Sequence, residues 1–148
     1  MKRFVALFAF LLIATSSQAA SGSGWLTDYE AALEKAKKEK KYVLVDFSGS
    51  DWCGWCIKLD KEVFQKKEFQ SYAEKNLVMV LLDFPRRTKI SSKLKKQNNE
   101  LMKKFGVRGF PTVLVLSPEG KLVKKTGYQK GGPGSYVKHI KGIIAADK

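Results

Sequence analysis

The sequence predicts an α/β domain: a central mixed sheet of about four strands flanked by helices on both faces. Three observations predict it. Short apolar runs alternate along the chain with longer segments whose apolar residues recur at helical spacing. Strands joined through helices call for parallel neighbours and right-handed crossovers. The last two strand candidates are separated by only four residues, Ser117-Pro118-Glu119-Gly120, so they must pair antiparallel.

Thr27-Asp28-Tyr29-Glu30 has the form of a capping box, and Tyr29, Leu33 and Ala36 follow on one helical face, which predicts a helix from about Asp28 to Lys40. Tyr42 to Phe47 is a valine- and aromatic-rich run bounded by Ser48, Gly49 and Ser50, the pattern of a buried strand. From Cys53 to about Val63 the pattern is helical, with a break around Gln65 to Lys67 and a second helical piece ending near Asn76. Leu77 to Asp83 is a second apolar strand, and Pro85, Arg86 and Arg87 open a polar connection. Ser92 to Phe105 has helical spacing through Leu94, Leu101 and Phe105. Thr112 to Leu116 and Leu122 to Thr126 form the closing hairpin around a stretch of turn formers. A final helix, about Ser135 to Ala146, places Tyr136, Ile140, Ile143 and Ile144 together.

The N-terminus reads as an export signal: Lys2 and Arg3, an apolar run from Phe4 to Ala14, then small polar residues. Cleavage is expected after Ala19, with Ala20 the nearest alternative, leaving one domain over residues 20–148. The apolar run would span only about 16 Å as a helix against roughly 30 Å of hydrocarbon, so no stable membrane insertion is expected after cleavage. Periplasmic or secreted localisation follows.

The formal charge is +14. The lysines are spread over helical stretches whose other face is apolar, so solvated faces explain them, and a nucleic-acid partner is not expected. Attraction to acidic partners or an anionic envelope surface is.

Cys53-Gly54-Trp55-Cys56 holds the only two cysteines. A C-x-x-C between a strand and a helix brings both sulfurs within bonding range on the first helical turn. Unpaired backbone N–H groups and the positive end of the helix dipole there favour a thiolate. Cys53 is assigned as the exposed attacking nucleophile and Cys56, one turn further in, as the resolving thiol. A purely structural bridge would close so short a loop for only about 2 kcal/mol. Covalent haem would need histidine where Ile57 stands, and zinc would need about four ligands, whereas His139, the sole histidine, lies far off on the last helix. No metal or other cofactor is expected, and His139 reads as an ordinary surface or half-buried residue.

The residues Val45-Asp46-Phe47, Trp52-Cys53-Gly54-Trp55-Cys56, Phe105-Gly106-Val107-Arg108-Gly109-Phe110-Pro111-Thr112, Glu119-Gly120 and Gly127 resemble the thioredoxin family over nearly the whole chain beyond the signal. The resemblance implies a thioredoxin-like fold and thiol–disulfide exchange. It also implies a cis Phe110-Pro111 bond against the cysteine pair, with the chain before Pro111 offering backbone groups to an extended substrate peptide. Trp52 would pack over the redox site, with plain core packing as the alternative. Asp46 resembles the family's buried acid, a proton carrier for the resolving cysteine. The stretch from Asp46 to Cys53 is one residue longer than the thioredoxin pattern, which leaves a solvent-exposed or capping Asp46 as the alternative. Trp55 stands where thioredoxin carries proline, and the G-S-D-W-C-G-W-C form is more similar to exported bacterial thioredoxin-like proteins and the soluble domains of thiol-disulfide interchange proteins.

The expected function is that of an exported thiol-disulfide oxidoreductase, a reductase or isomerase. Its partners would be exported proteins with cysteines or disulfides, and a membrane or periplasmic redox protein. The alternative is a non-enzymatic binding module carrying a passive disulfide.

Overall fold

The computed structural model describes residues 24–147. The predicted export signal and its cleavage point lie outside them. Five strands, β1 (Trp25–Leu26), β2 (Tyr42–Ser48), β3 (Leu77–Asp83), β4 (Thr112–Leu116) and β5 (Leu122–Thr126), form one sheet in the order β1-β3-β2-β4-β5. The fifth strand beyond the expected four is β1, whose two residues pair parallel with Met79 and Val80. Two residues carry no periodicity, so sequence patterning passes over them.

Parallel pairing of β2 with β3 and antiparallel pairing of β4 with β5 follow the expected rules. The β2–β4 pair departs from them, because it is antiparallel although β4 is reached through a helix. The chain leaves α4 (Ser92–Lys104) and uses residues 105–111 to return to the end of the sheet where β2 finishes, so that Phe47 lies opposite Thr112. This return carries Pro111 to the carboxyl end of β2, where the cysteine loop begins.

Side-chain alternation divides the core in two. Val43, Val45 and Phe47 of β2 face α1 (Tyr29–Glu39) and α4, packed with Ala32, Ala36, Val80, Leu82, Leu101 and Leu114. Leu44 faces the other way, onto Leu59, Val63, Phe69, Ala73, Tyr136 and Ile140 from the helical segment after Cys53, from α3 (Lys67–Asn76) and from α5 (Gly132–Ala146). Successive strand residues point to opposite faces, so Asp46 shares the face of Leu44 and points toward the cysteine helix.

Three local details differ from the sequence expectation. Asp28, not Thr27, caps α1, its carboxylate accepting from the Ala31 N–H at 3.1 Å. Asp is as good a cap as Thr and stands one residue nearer the first turn. The helix after Cys53 is α-helical only over α2 (Gly54–Leu59) and continues as a π-turn over Asp60–Phe64, an inserted residue that apolar spacing does not register. The last helix starts at Gly132 rather than Ser135, because Pro133 is accommodated in a first turn, where its missing N–H has no intrahelical partner to lose.

Candidate active site

Cys53 caps α2, and the two cysteines are joined as a disulfide. The Cys56 N–H donates to Cys53 Sγ at 3.3 Å, so the first cysteine sits where the backbone donors of the helix start converge. Cys53 is 7% exposed and Cys56 4%. The expectation of an openly exposed Cys53 is therefore corrected: with its sulfur bonded to Cys56 and turned over the helix start, it is only slightly more accessible than its partner.

The loop before Cys53 folds on Gly49, whose carbonyl accepts from the N–H groups of Trp52 at 3.2 Å and Cys53 at 2.8 Å. A Cβ on Gly49 would lie 2.5 Å from the Trp52 ring, so only glycine lets the indole cross the backbone here. Trp52 Nε1–H donates to the Phe84 carbonyl at 2.8 Å, and its ring meets Phe110 edge-on at 6.0 Å. Phe110 in turn stacks on Phe84 at 5.0 Å. The Phe110-Pro111 peptide bond is cis. Trp52 and the residues leading into β4 thus stand together at the cysteine end of the sheet. Trp55, 55% exposed, lies 5.2 Å from the Tyr128 ring on the other flank.

Asp46 is buried, 6% exposed, and it and Cys56 line one cavity of about 450 Å³, together with Ser48, Ile57, Asp60 and Lys61. Among the described residues, nothing hydrogen-bonds its Oδ1. Burial, reinforced by the negative charges of Asp60 and Asp83, pushes its carboxyl up to about 7. The longer spacing from Asp46 to Cys53 is taken up within the loop at Gly49, leaving Asp46 on the α2 face, and the exposed or capping alternative is set aside.

Asp51 and Asp60, the two acids that the sequence places near the cysteines as opposing a thiolate there, have different surroundings. Asp60 lies four residues after Cys56, the spacing that puts both on one helix face, and its carboxylate is bonded by the Gln65 amide. Asp51 binds the loop after β3: its carboxylate accepts from the N–H groups of Arg86, Arg87 and Thr88 at 2.9, 2.7 and 2.9 Å and is held down at about 2. No periodicity announces a side chain that captures a distant loop. His139 stands apart, its Nε2 2.8 Å from Thr126 Oγ1.

The thioredoxin-like domain family matches residues 29–132. The chain belongs to it. Disulfide bond reductase DsbH of Chlamydia pneumoniae is 36% identical over 126 residues, covering 85% of this chain and 75% of the relative. The solved structure of a DsbH oxidoreductase superposes with a TM-score of 0.79 at 34% identity, over 93% of this chain and 95% of that one. Thioredoxin-related protein DsbJ of Chlamydia pneumoniae is 34% identical over 103 residues, though the chain spans only 30% of its length. With the cysteine pair at the head of α2, this family member is a thiol-disulfide oxidoreductase, and the binding-module alternative has nothing left to support it. No helix among the described residues is long and apolar enough to cross a membrane.

Proposed function

We propose that the chain reduces disulfides of exported proteins, with residues 1–19 removed on export and residues 20–148 working as one domain in the periplasm or outside the cell. Cys53 attacks, Cys56 resolves, and Asp46 takes the Cys56 proton. Trp52, Phe110 and Pro111 form the edge on which the substrate segment lies.

In the reduced protein the Cys53 thiolate attacks one sulfur of a substrate disulfide. The substrate S–S bond breaks, and its second sulfur leaves as a thiolate that takes up a proton. Cys56 then gives its proton to Asp46 and attacks Cys53 Sγ, which restores the Cys53–Cys56 bond and releases the first substrate sulfur as a thiol. Two electrons have passed to the substrate. A membrane or periplasmic dithiol partner returns them.

The observation that carries the reading is the cavity shared by Asp46 and Cys56, roomy enough to hold water and with the Asp46 carboxylate in its wall. The same electrostatics support the reductive direction of electron flow. The helix start favours the Cys53 thiolate, while Asp46, Asp60 and Asp83 oppose negative charge on this face. Less stabilisation of the reduced form means a less oxidising disulfide. The printed name of the 36% identical relative supports the same direction.

Equilibration with glutathione tests it. The expected potential lies between about −270 and about −180 mV, toward the lower end. A value near about −120 mV would make the protein an oxidant and overturn the proposal.

A further inference from the structure

The loop after β3 carries a cation that the exchange chemistry does not use. Arg86 is exposed, and its guanidinium carbon lies 3.7 Å from the centre of the Trp52 ring. Trp52 directly precedes Cys53 and contacts Phe110, so this arginine sits one side chain away from both halves of the proposed substrate edge. Its position is fixed from beneath. Asp51 holds the backbone of Arg86, Arg87 and Thr88, and Phe84 is bound through its carbonyl to the Trp52 indole.

The acids nearest this loop are already engaged. Asp51 is spent on three backbone N–H groups, and Asp83 accepts from the Ser50 N–H at 2.9 Å and its hydroxyl at 2.5 Å. Among the described residues, neither Arg86 nor the exposed Arg87 forms a salt bridge. The opposite flank differs. Lys58 lies 5.2 Å from the Trp55 ring centre but is 3.7 Å from Glu62, so its charge is matched within the chain. A guanidinium laid on an aromatic ring is pre-ordered, and its planar fork of N–H donors matches a carboxylate. Among the described residues, Arg86 is therefore an unpaired guanidinium ordered by an aromatic ring, on the Trp52 side of the disulfide.

We propose that Arg86 is a specificity-determining residue that receives a carboxylate of the substrate, so that the preferred partner is a protein segment with Asp or Glu beside its reacting cysteine. The inference rests on the exchange reading above, with Trp52 and Phe110 as the substrate edge.

The test uses disulfide-linked homodimers of three short peptides that differ only in carrying Glu, Gln or Lys beside the cysteine, reduced by the full chain in its dithiol form. The expected kcat/KM is about fivefold higher for the Glu than for the Gln peptide and lowest for the Lys peptide, the size of an exposed charge pair. In Arg86→Ala the Glu and Gln peptides should react within about 1.5-fold of each other, since the exposed pair they distinguish is gone. Arg86→Lys should keep part of the preference, as a charge without the planar fork. In 1 M salt, where screening acts beyond about 3 Å, the wild-type preference should shrink. A merely structural role for Arg86 would slow the peptides equally and leave their ratio unchanged, which would overturn the proposal. So would equal rates for the Glu and Gln peptides in the wild type. Failure to reduce any of the three would instead overturn the exchange reading, and this inference with it.

Discussion

Asp46 sets the pH behaviour of the site. Its carboxyl ionises near 7 in the folded chain, against an ordinary value of 3.8. Between those values the folded state holds a proton that the unfolded state has released, so stability falls as pH rises from about 4 to about 7, by up to about 4 kcal/mol. Asp46→Asn removes the charge but leaves a buried amide short of partners, which costs about 1–3 kcal/mol. Urea unfolding of the disulfide form should therefore show the variant more stable than the parent at pH 8, by about 1–3 kcal/mol, with no advantage at pH 4. An equal difference at both pH values would remove Asp46 as the source. The Cys56 step in the parent should speed up as pH rises through about 7 and Asp46 becomes able to accept a proton, and the variant should lose that inflection. The residue was legible in the sequence as a candidate through its resemblance to the buried acid of the thioredoxin family. What the sequence left open was its face, which strand alternation and the Gly49 turn decide together.

At the scale of elements, the cysteine loop and the β3–α4 loop form one assembly, tied by Ser50 to Asp83, Asp51 to the N–H groups of residues 86–88, and Trp52 to Phe84. Asp51→Ala leaves those three amides without their acceptor. Hydrogen exchange at Arg86, Arg87 and Thr88 should accelerate by tenfold or more, while the amides of β2 and β4 keep their protection. Unchanged exchange at the three amides would show that the loop holds itself. Helices and strands with strong apolar spacing were readable ahead of the structure: α1, α3, α4 and β2 to β5 fall within a residue or so of their expected limits. The elements that escaped have physical reasons to escape. β1 is two residues long, the π-turn inserts a residue without disturbing the apolar pattern, and the Asp51 clamp is a long-range capture by a short polar side chain.

Across the whole molecule, Phe47 ties the site end of the sheet to its core, fully buried and packed against Phe84 at 6.4 Å and Phe105 at 6.5 Å. Phe47→Ala should cost about 3–5 kcal/mol in denaturant unfolding at unchanged m-value, and a cost below about 1 kcal/mol would contradict the packing described. The mixed sheet, the two helical faces and the redox pair could be read from apolar runs, turn formers and the C-x-x-C motif. The antiparallel seating of β4 beside β2 could not, because strand pairing across α4 depends on where the 105–111 segment lands. That seating brings Phe110 and Pro111 to the carboxyl end of β2, where the cysteine loop begins, while their role as a substrate edge is a proposal that rests on resemblance.

Cysteine trapping tests the central claim most directly. The roles given to Cys53 and Cys56 require that attack by Cys53 leave an intermediate that only Cys56 can resolve. Mixed with exported proteins carrying disulfides, Cys56→Ser should accumulate covalent adducts on non-reducing gels that dissolve on reduction, while Cys53→Ser should trap none. Equal trapping by both variants, or by neither, would contradict the assignment.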